Sequence, residues 1–199
     1  TTEQLGNFID GETEAEGGIG YVHSVHLDGL QPGTQYFYKT RTGGSYSQIY
    51  HFKTAPSGGD EPFQIVAMSD MQRDNSHPDK YGEIIQEGVI SHLSDRYSPD
   101  MPQALAMVLV PGDLVDSGWI YTDWINDFFA ASQSLMAEVP FYPIYGNHEA
   151  NSPLFARYFH LPDNGTVGYE EHWWTTDYNN VRIVGLDSNQ GYRIQTQFD

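Results

Sequence analysis

The chain has 199 residues, of which 39% are hydrophobic and 14% aromatic, a composition that supports a hydrophobic core and excludes a disordered protein. Its net charge of −18 excludes binding to nucleic acid through neutralisation of phosphates. There is no stretch of 18 apolar residues to span a membrane, and the absence of cysteine excludes disulfide bonds and thiolate metal sites.

The ends of the chain and its acidity give two further expectations. The sequence starts at Thr1 without an initiator methionine and stops at Asp199 without a polar tail or a helix-breaking residue. We therefore expect an internal fragment of a longer protein. Strong acidity combined with 14 tyrosines favours a secreted protein, extracellular or periplasmic.

Residues 21–54 alternate between apolar and polar side chains, the pattern of antiparallel strands separated by Pro/Gly turns. Strands are predicted at residues 21–27, 36–40 and 49–54. These strands are too few to form both sheets of a sandwich. We therefore assign residues 1–56 to part of an all-β domain whose other strands precede it, and the small, polar residues 57–62 to a linker.

From residue 63 onward, short apolar runs alternate with longer segments of helical periodicity. Strands are predicted at residues 63–68, 106–110, 141–145 and 181–186, and helices at 80–93 and 123–136. Such alternation is typical of a layered α/β domain, in which helices cover a sheet. The predicted fold class is therefore α/β over residues 63–199, preceded by part of an all-β sandwich.

Short polar clusters follow the first three predicted strands of the α/β domain. They are Ser69-Asp70-Met71-Gln72, Gly112-Asp113-Leu114-Val115-Asp116-Ser117-Gly118 and Gly146-Asn147-His148-Glu149. Open α/β sheets bind their ligands beyond the carboxyl ends of the strands. Carboxylates, amides and an imidazole are therefore expected to meet there, a donor set suited to divalent cations and to the oxyanions that such cations hold.

In a site for a pair of cations, these residues would have different roles. Asp70 and Asp113 are candidate metal ligands, and Asp113 is the better bridge because the preceding glycine allows close approach. Asn147 offers a neutral carbonyl oxygen, and Gln72 points to the same side of an extended segment as Asp70. The side chain of His148 diverges from that of its neighbour, so it suits hydrogen bonding to substrate.

Turn chemistry explains any one of these clusters equally well, because Gly, Asp and Asn are common in loops. Three clusters, each at a strand end, favour a common site instead. The other histidines of the α/β domain are interpreted as surface, packing or hydrogen-bonded residues: His77, His92, His160 and His172. A core position is favoured over a lid for Trp173 and Trp174, and a structural hydrogen bond over metal ligation for Asp187.

The three clusters resemble the first signature blocks of the calcineurin-like metallophosphoesterases. The matching pieces are Asp70-x-Gln72, Gly112-Asp113-x-x-Asp116-x-Gly118 and Gly146-Asn147-His148-Glu149. Residues 21–56, with Leu30-x-Pro32-Gly33-Thr34-x-Tyr36-x-Tyr38, resemble the later half of the fibronectin-type-III-like domain that precedes the catalytic domain of purple acid phosphatases. The resemblance implies that residues 1–56 are part of that domain and that residues 63–199 are the N-terminal part of a metallophosphoesterase catalytic domain.

The resemblance implies a dinuclear metal centre that hydrolyses phosphate mono- or diesters of small molecules with a metal-bound hydroxide. By position, Asp70, Asp113 and Asn147 would be metal ligands, with Asp113 bridging two ions drawn from Mn, Fe, Zn, Mg or Ca. His148 would be the catalytic residue that stabilises the transition state or protonates the leaving group. This chemistry is sensible, because the ions polarise the phosphoryl oxygens and activate water.

Two positions depart from the family pattern, and part of the ligand set is missing. Asp116 stands where purple acid phosphatases have tyrosine, which predicts no tyrosinate-to-iron colour. Gln72 stands where many relatives have histidine; as a metal ligand it would favour Mn²⁺, Mg²⁺ or Ca²⁺ over Zn²⁺, and it is equally interpretable as a non-ligand. Further histidine ligands are expected from the C-terminal part of the domain or from a second chain, so residues 1–199 alone are expected to be inactive.

Two alternatives to an intact hydrolase stay open. One is a catalytically inactive adhesion or carbohydrate-binding module on the same scaffold, which Gln72, Asp116 and the missing histidines favour. The other is one part of a split enzyme that a second chain completes.

Overall fold

The computed structural model describes residues 5–16 and 20–189, in two parts. The first part contains β1 (Glu12–Glu16), β2 (Gly20–Ser24), β3 (Gln35–Tyr38), β4 (Arg41–Thr42), β5 (Ser45–Tyr46) and β6 (Tyr50–Lys53). These strands pair as β1–β2, β3–β6 and β4–β5, each pair antiparallel. The three predicted strands overlap β2, β3 and β6, whereas β1, β4 and β5 were not predicted.

Aromatic pairs hold β3 against β6. In the register of this pair Tyr36 faces Phe52 and Tyr38 faces Tyr50, and the ring centroids are 5.7 Å apart in both cases. Cross-strand pairs of this kind each contribute roughly 0.2–1 kcal/mol to an antiparallel ladder. No described residue before Met71 is buried, so this first part has no closed core of its own.

The second part is built on a parallel sheet whose strands lie in the order β7–β8–β9. They are β7 (Ile65–Ala67), β8 (Met107–Val110) and β9 (Phe141–Pro143). In the central strand Val108 is paired with Val66 on one side and Phe141 on the other, and its own exposure is 0%. A buried apolar central strand is what a sheet covered on both faces requires. This mixed α/β architecture confirms the predicted fold class.

Within the described ranges, two long helices and two short ones accompany this sheet. Helix α1 consists of the consecutive segments Lys80–Glu83, Ile84–Ser91 and His92–Arg96, α2 is Met101–Ala104, α3 consists of Tyr121–Asp123, Trp124–Phe129 and Ala130–Met136, and α4 is Pro153–Tyr158. The middle segments of α1 and α3 are π-helical. Helices α1 and α3 confirm the two predicted from sequence. None of the four is long and apolar enough to cross a membrane.

The core of the α/β part is aromatic and centred on Trp124. This side chain is 0% exposed and packs edge-on against Phe128, Phe155 and Tyr158 at centroid distances of 5.3–6.3 Å. Its indole N–H donates to the carbonyl of Gly118 at 2.8 Å. Helix α3 therefore anchors the loop that follows β8, which carries the second polar cluster.

The fourth predicted strand forms a hairpin and does not join the parallel sheet. The hairpin consists of β10 (Trp174–Tyr178) and β11 (Val181–Gly185), paired antiparallel. Among the described strands, β11 pairs with β10 alone. Gly185 lies so close to Ile144 and Trp174 that a Cβ at this position would overlap both side chains. The hairpin thus packs against the loop after β9 through side chains. Among the described strands, neither β10 nor β11 pairs with a strand of the parallel sheet.

Side-chain hydrogen bonds join the antiparallel part to the α/β part. Tyr38 Oη donates to the carbonyl of Ala137, just after α3, at 2.6 Å. His51 lies between two carboxylates, with Nε2 2.8 Å from Asp100 Oδ1 and Nδ1 2.9 Å from Glu138 Oε1. Polar contacts therefore attach the antiparallel part to the turns at the start of α2 and the end of α3.

Candidate functional site

The loops after β7, β8 and β9 meet at one edge of the parallel sheet. Asp70 follows β7, Asp113 follows β8 and Asn147 follows β9. The carboxyl ends of parallel strands share an edge, so all three loops lie on the same side. The first loop contacts the second directly, because the amide N–H of Met71 donates to the carbonyl of Asp113 at 2.9 Å.

Asp70 and Asp113 both have left-handed backbone conformations, with φ of +57° and +55°. Aspartate tolerates this conformation better than most residues, yet it still costs roughly 1 kcal/mol at each position. Strained residues of this kind cluster at active sites and ligand-binding loops. Both candidate carboxylates thus occupy left-handed positions in the loops that follow β7 and β8.

Glycines bring the second and third loops into backbone contact. A Cβ on Gly112 would lie 2.7 Å from the Cα of Gly146, and a Cβ on Gly146 would overlap the backbone nitrogen and side chain of Asp113. Likewise, a Cβ on Gly118 would lie 2.6 Å from the Cα of Glu149. Such distances leave no space for any side chain at these positions. The glycines of the signature blocks are therefore required by close approach.

Glu149 joins these two loops through a buried carboxylate. Its side chain is 0% exposed. It accepts hydrogen bonds from the backbone N–H groups of four residues: Asp113 (2.9 Å), Leu114 (2.8 Å), Val115 (3.4 Å) and Gly146 (2.7 Å). Burial raises the pKa of this carboxyl, and the N–H donors partly offset that effect. Both loops are consequently organised around a single acidic side chain.

His148 contacts the second loop through both its backbone and its ring. Its amide N–H donates to Asp113 Oδ1 at 3.1 Å, and its Nδ1 lies 2.7 Å from the carbonyl oxygen of Asp116. The hydrogen bond to that carbonyl raises the pKa of the imidazole, assisted by the carboxylates of Asp113, Asp116 and Glu149. The side chain is 35% exposed, so solvent and small molecules can reach it.

Asp116 and Gln72 lie at the margins of this arrangement. The carboxylate of Asp116 is 72% exposed, and its Oδ1 is 3.7 Å from His148 Nδ1. Gln72 is half-buried and, together with Asp70 and Arg73, lines a cleft of about 210 Å³ beside the first loop. The structure thus brings Asp113 and His148 into direct contact and leaves Gln72 along the cleft wall.

Two family models match this chain. The one described as "Calcineurin-like phosphoesterase" matches residues 63–197, and the one described as "Purple acid Phosphatase, N-terminal domain" matches residues 2–54. The first match covers more than half of the 199 residues. The chain belongs to the calcineurin-like phosphoesterase family. The resemblance drawn from the three signature blocks is thereby confirmed.

Proteins named as purple acid phosphatases are among the relatives of this chain. "Probable inactive purple acid phosphatase 24" of Arabidopsis thaliana is 27% identical over 201 residues, which cover 89% of this chain and 32% of that protein. The structure of purple acid phosphatase PPD1 from yellow lupin (Lupinus luteus) seeds gives a TM-score of 0.62 at 24% identity, covering 87% of this chain and 34% of that chain. The structure of PhoD gives a TM-score of 0.54 at 16% identity, covering 85% and 40%.

These comparisons give information on the fold of the chain and on its length relative to similar proteins. The structural likenesses have low sequence identity, so they support the fold and leave activity to be argued from the site. The chain spans about a third of the length of the curated relatives it matches, 32% in the Arabidopsis case.

Membership of this phosphoesterase family implies divalent metal ions. Asp70, Asp113 and Asn147 supply oxygen donors from three adjoining loops, the ligand chemistry that Mg²⁺, Mn²⁺ and Ca²⁺ prefer. Yet within residues 5–16 and 20–189 no three His, Asp or Glu side chains are grouped so that they could hold a metal ion. The described residues therefore fit part of a divalent-cation site.

Residues predicted to be structural are placed accordingly. Trp173 and Trp174 are 4% and 2% exposed, as expected for core positions. His172 Nδ1 lies 3.0 Å from Oδ2 of the buried Asp187, and its ring stacks on Tyr145 at 4.7 Å. Exposed histidines outside the signature blocks include His77, His92 and His160.

Sequence reasoning gave no role to Glu149 or Trp119, which both make contacts between the second and third loops. Glu149 closes the Gly-Asn-His-Glu block, and its position directly after the candidate catalytic histidine was the available signal. Trp119 follows the last glycine of the second block, and its indole N–H donates to the carbonyl of Ala150 at 3.2 Å. The burial of Glu149 and the exposure of Trp119 depend on tertiary contacts, which a local sequence pattern does not record.

Proposed function

We propose that this chain is part of an enzyme that hydrolyses phosphate mono- or diesters of small molecules at a centre of two divalent cations. The observation that carries the proposal is the contact between the second and third loops, where the His148 amide donates to Asp113 Oδ1 at 3.1 Å. This contact supports the proposal because it joins the backbone of the residue that carries the candidate catalytic imidazole to a candidate bridging carboxylate, at the sheet edge to which Asp70 also belongs.

Oxygen donors of all three loops take part in this proposal. Asp70, Asp113 and Asn147 would hold the cations, with Asp113 shared between them, and Gln72 would add a neutral oxygen from the cleft wall. Divalent cations, when bound, polarise phosphoryl oxygens and lower the pKa of an attacking water molecule. The remaining ligands would come from the C-terminal part of the domain or from a second chain. The acidic composition favours a protein that works outside the cytoplasm.

His148 would stabilise the negative charge of the transferred group or protonate the leaving group. Its Nδ1 donates to the carbonyl of Asp116, so Nε2 is the nitrogen left to exchange a proton with substrate. The same bond and the nearby carboxylates raise the pKa of the imidazole, which favours the protonated, donating form. Glu149 fixes the position of both loops and does not itself face substrate, because its oxygens are occupied by backbone N–H groups.

The test measures p-nitrophenyl phosphate hydrolysis by the full-length protein together with its metal content by mass spectrometry. Asp113→Ala is expected to lose bound metal and activity. His148→Ala is expected to retain metal and to lose roughly 10²–10⁴-fold in kcat, the usual contribution of a positioned general acid. Glu83→Gln, a matched change at an exposed acid on α1, is expected to retain both metal and activity.

Two results would count against the proposal. Full-length protein that contains no metal and shows no turnover would overturn the hydrolase assignment. Robust turnover by residues 1–199 alone would contradict the conclusion that part of the ligand set lies elsewhere.

An inactive binding module is the second candidate function. Its support is the absence of any group of three His, Asp or Glu able to hold a metal among the described residues, together with Asp116 and Gln72 at the two departing positions. The word "inactive" in the name of the Arabidopsis relative applies to that protein and is compatible with the same idea here. Full-length protein that lacks metal and turnover yet binds immobilised polysaccharide would establish this function.

A further inference from the structure

Trp119 is a large aromatic side chain left open to solvent beside the candidate site. It is 60% exposed, and its neighbour Ile120 is 48% exposed. The other tryptophans are buried: Trp124 is 0%, Trp173 4% and Trp174 2% exposed. Because covering an aromatic ring is favourable, an exposed tryptophan next to a polar site offers a surface on which a bound molecule can stack.

Hydrogen bonds on two sides fix the position of Trp119. Its Nε1–H donates to the carbonyl of Ala150 at 3.2 Å. The preceding residue, Gly118, donates its N–H to the carbonyl of His148 at 2.9 Å and accepts the indole N–H of the buried Trp124 at 2.8 Å. A ring that is already oriented loses little conformational entropy when a second ring stacks on it.

The same two loops hold Trp119 and the candidate catalytic imidazole. His148 Nδ1 contacts the carbonyl of Asp116, three residues before Trp119, and the indole contacts the carbonyl of Ala150, two residues after His148. A phosphate ester positioned at His148 that directs its organic group towards residues 119 and 150 would meet the indole. The exposed carboxylate of Asp116, 72% accessible, disfavours an organic group that carries negative charge.

We propose that Trp119 forms the subsite for the organic group of the substrate, and that the preferred substrates are phosphate esters of uncharged aromatic alcohols. This inference rests on the proposed phosphoesterase function. Stacking of an aromatic ring on an exposed indole supplies the selectivity, because an aliphatic alcohol offers no ring to stack. Ile120 extends the apolar surface on which the ring lies.

The first experiment compares kcat/KM of the full-length protein for phenyl phosphate and for glycerol 2-phosphate. Trp119→Ala is expected to lower kcat/KM about tenfold for phenyl phosphate and by less than about twofold for glycerol 2-phosphate. Trp119→Phe keeps a stacking face and is expected to retain most of the preference. Tyr97→Ala removes a similarly exposed aromatic, 51% accessible, beyond the far end of α1, and is expected to change neither value.

A second experiment measures binding without turnover, through the tryptophan fluorescence of the same full-length protein. Acrylamide quenches exposed indoles, so Trp119 is expected to account for most of the quenching contributed by this region. Phenylphosphonate, an aryl analogue without a cleavable ester bond, is expected to protect this fluorescence from acrylamide, whereas inorganic phosphate is not. The protectable component should disappear in Trp119→Ala.

The two experiments separate failure of the subsite from failure of the proposed function. Equal losses for both substrates in Trp119→Ala, or absence of protection by phenylphosphonate, would overturn the subsite while hydrolysis stands. If the parent protein hydrolyses neither substrate, the proposed function fails instead. Protection by phenylphosphonate then decides separately whether Trp119 binds an aromatic ligand.

Discussion

The antiparallel part and the α/β part are held together by different forces. Among the described residues every buried side chain is at Met71 or later, whereas the strands before it are half-buried at best. Trp124 on α3 is 0% exposed, while Phe37 on β3 is 52% exposed. Hydrophobic burial thus stabilises the α/β part, and cross-strand rings and polar contacts stabilise the antiparallel part. The candidate site belongs entirely to the part that has a closed core.

Truncating one aromatic side chain in each part tests this difference most directly. Trp124→Ala is expected to lower the free energy of unfolding by about 4 kcal/mol, since it opens a cavity in a packed core and removes a hydrogen bond to Gly118. Phe37→Ala is expected to cost less than about 0.5 kcal/mol because most of the ring already contacts water. Urea unfolding measures both, and similar losses would show that the two parts share one core.

The loop junction at Glu149 should be the next most sensitive position. Glu149→Gln replaces one carboxylate oxygen by an NH₂ group that faces backbone N–H donors, so we expect a loss of about 3 kcal/mol. Loss of the ordered loops should also lower activity of the full-length protein. Glu87→Gln, at an exposed position of α1, is the matched control and should leave the urea midpoint unchanged. A Glu149 variant of full stability would refute its role as the junction.

Docking of the antiparallel part can be measured at His51. A double-mutant cycle of His51→Ala and Glu138→Ala is expected to give a coupling energy of about 0.5–1 kcal/mol, because the side chains are only 21% and 22% exposed. The exposed pair His26 and Asp28 has similar geometry at 2.9 Å and should show no measurable coupling. Equal coupling in both pairs would mean that burial at the junction contributes nothing.

Alkaline pH should weaken the same junction slightly. Burial is the largest effect that raises the pKa of the Tyr38 hydroxyl, and the charges of Tyr50 and Glu138 raise it further. The unfolded chain therefore loses the Tyr38 proton at a lower pH than the folded protein does. The contribution of Tyr38 to the free energy of unfolding is complete below the unfolded pKa of about 10, and it is lost as pH rises through the folded pKa.

Tyr38→Phe isolates this contribution. The variant removes both the titration and the hydrogen bond to the Ala137 carbonyl, so the wild type should exceed it in stability by up to about 1 kcal/mol at pH 8. The difference should shrink towards pH 11. Urea midpoints at the two pH values measure it, and a constant difference would exclude Tyr38 as the titrating group.

Much of the α/β part could be predicted from local patterns. The apolar runs that became β7, β8 and β9 and the helical periodicity of α1 and α3 reflect one-sided or complete burial, which sequence periodicity records. The placement of the loops that carry Asp70, Asp113 and Asn147 at one edge of the sheet follows from the parallel order of the strands. Their assignment as metal ligands stays a prediction, as do the role of His148, the position of Gln72 in the ligand set and the domain boundaries.

Other features depend on contacts that no short segment contains. The segment 181–185 has the composition of a sheet strand, but its partner is decided by the hairpin with β10 and by packing of Gly185 on Ile144. Strand β1 consists of acidic residues and Thr or Ala, which carry no strand signal of their own, and it forms by pairing with β2. Burial of Glu149 runs against the usual exposure of acids, and three of the four N–H groups that satisfy it come from a loop more than 30 residues away.

The glycine contact between Gly112 and Gly146 limits how this scaffold can be altered. Because even a methyl group at either position would meet the opposite loop, random libraries that include these codons will return mostly misfolded proteins. Productive diversity must therefore come from exposed side chains outside this contact, such as those of Arg73 and Trp119. Redesign of this scaffold should therefore keep the residues inside the junction constant and vary only the exposed residues around it.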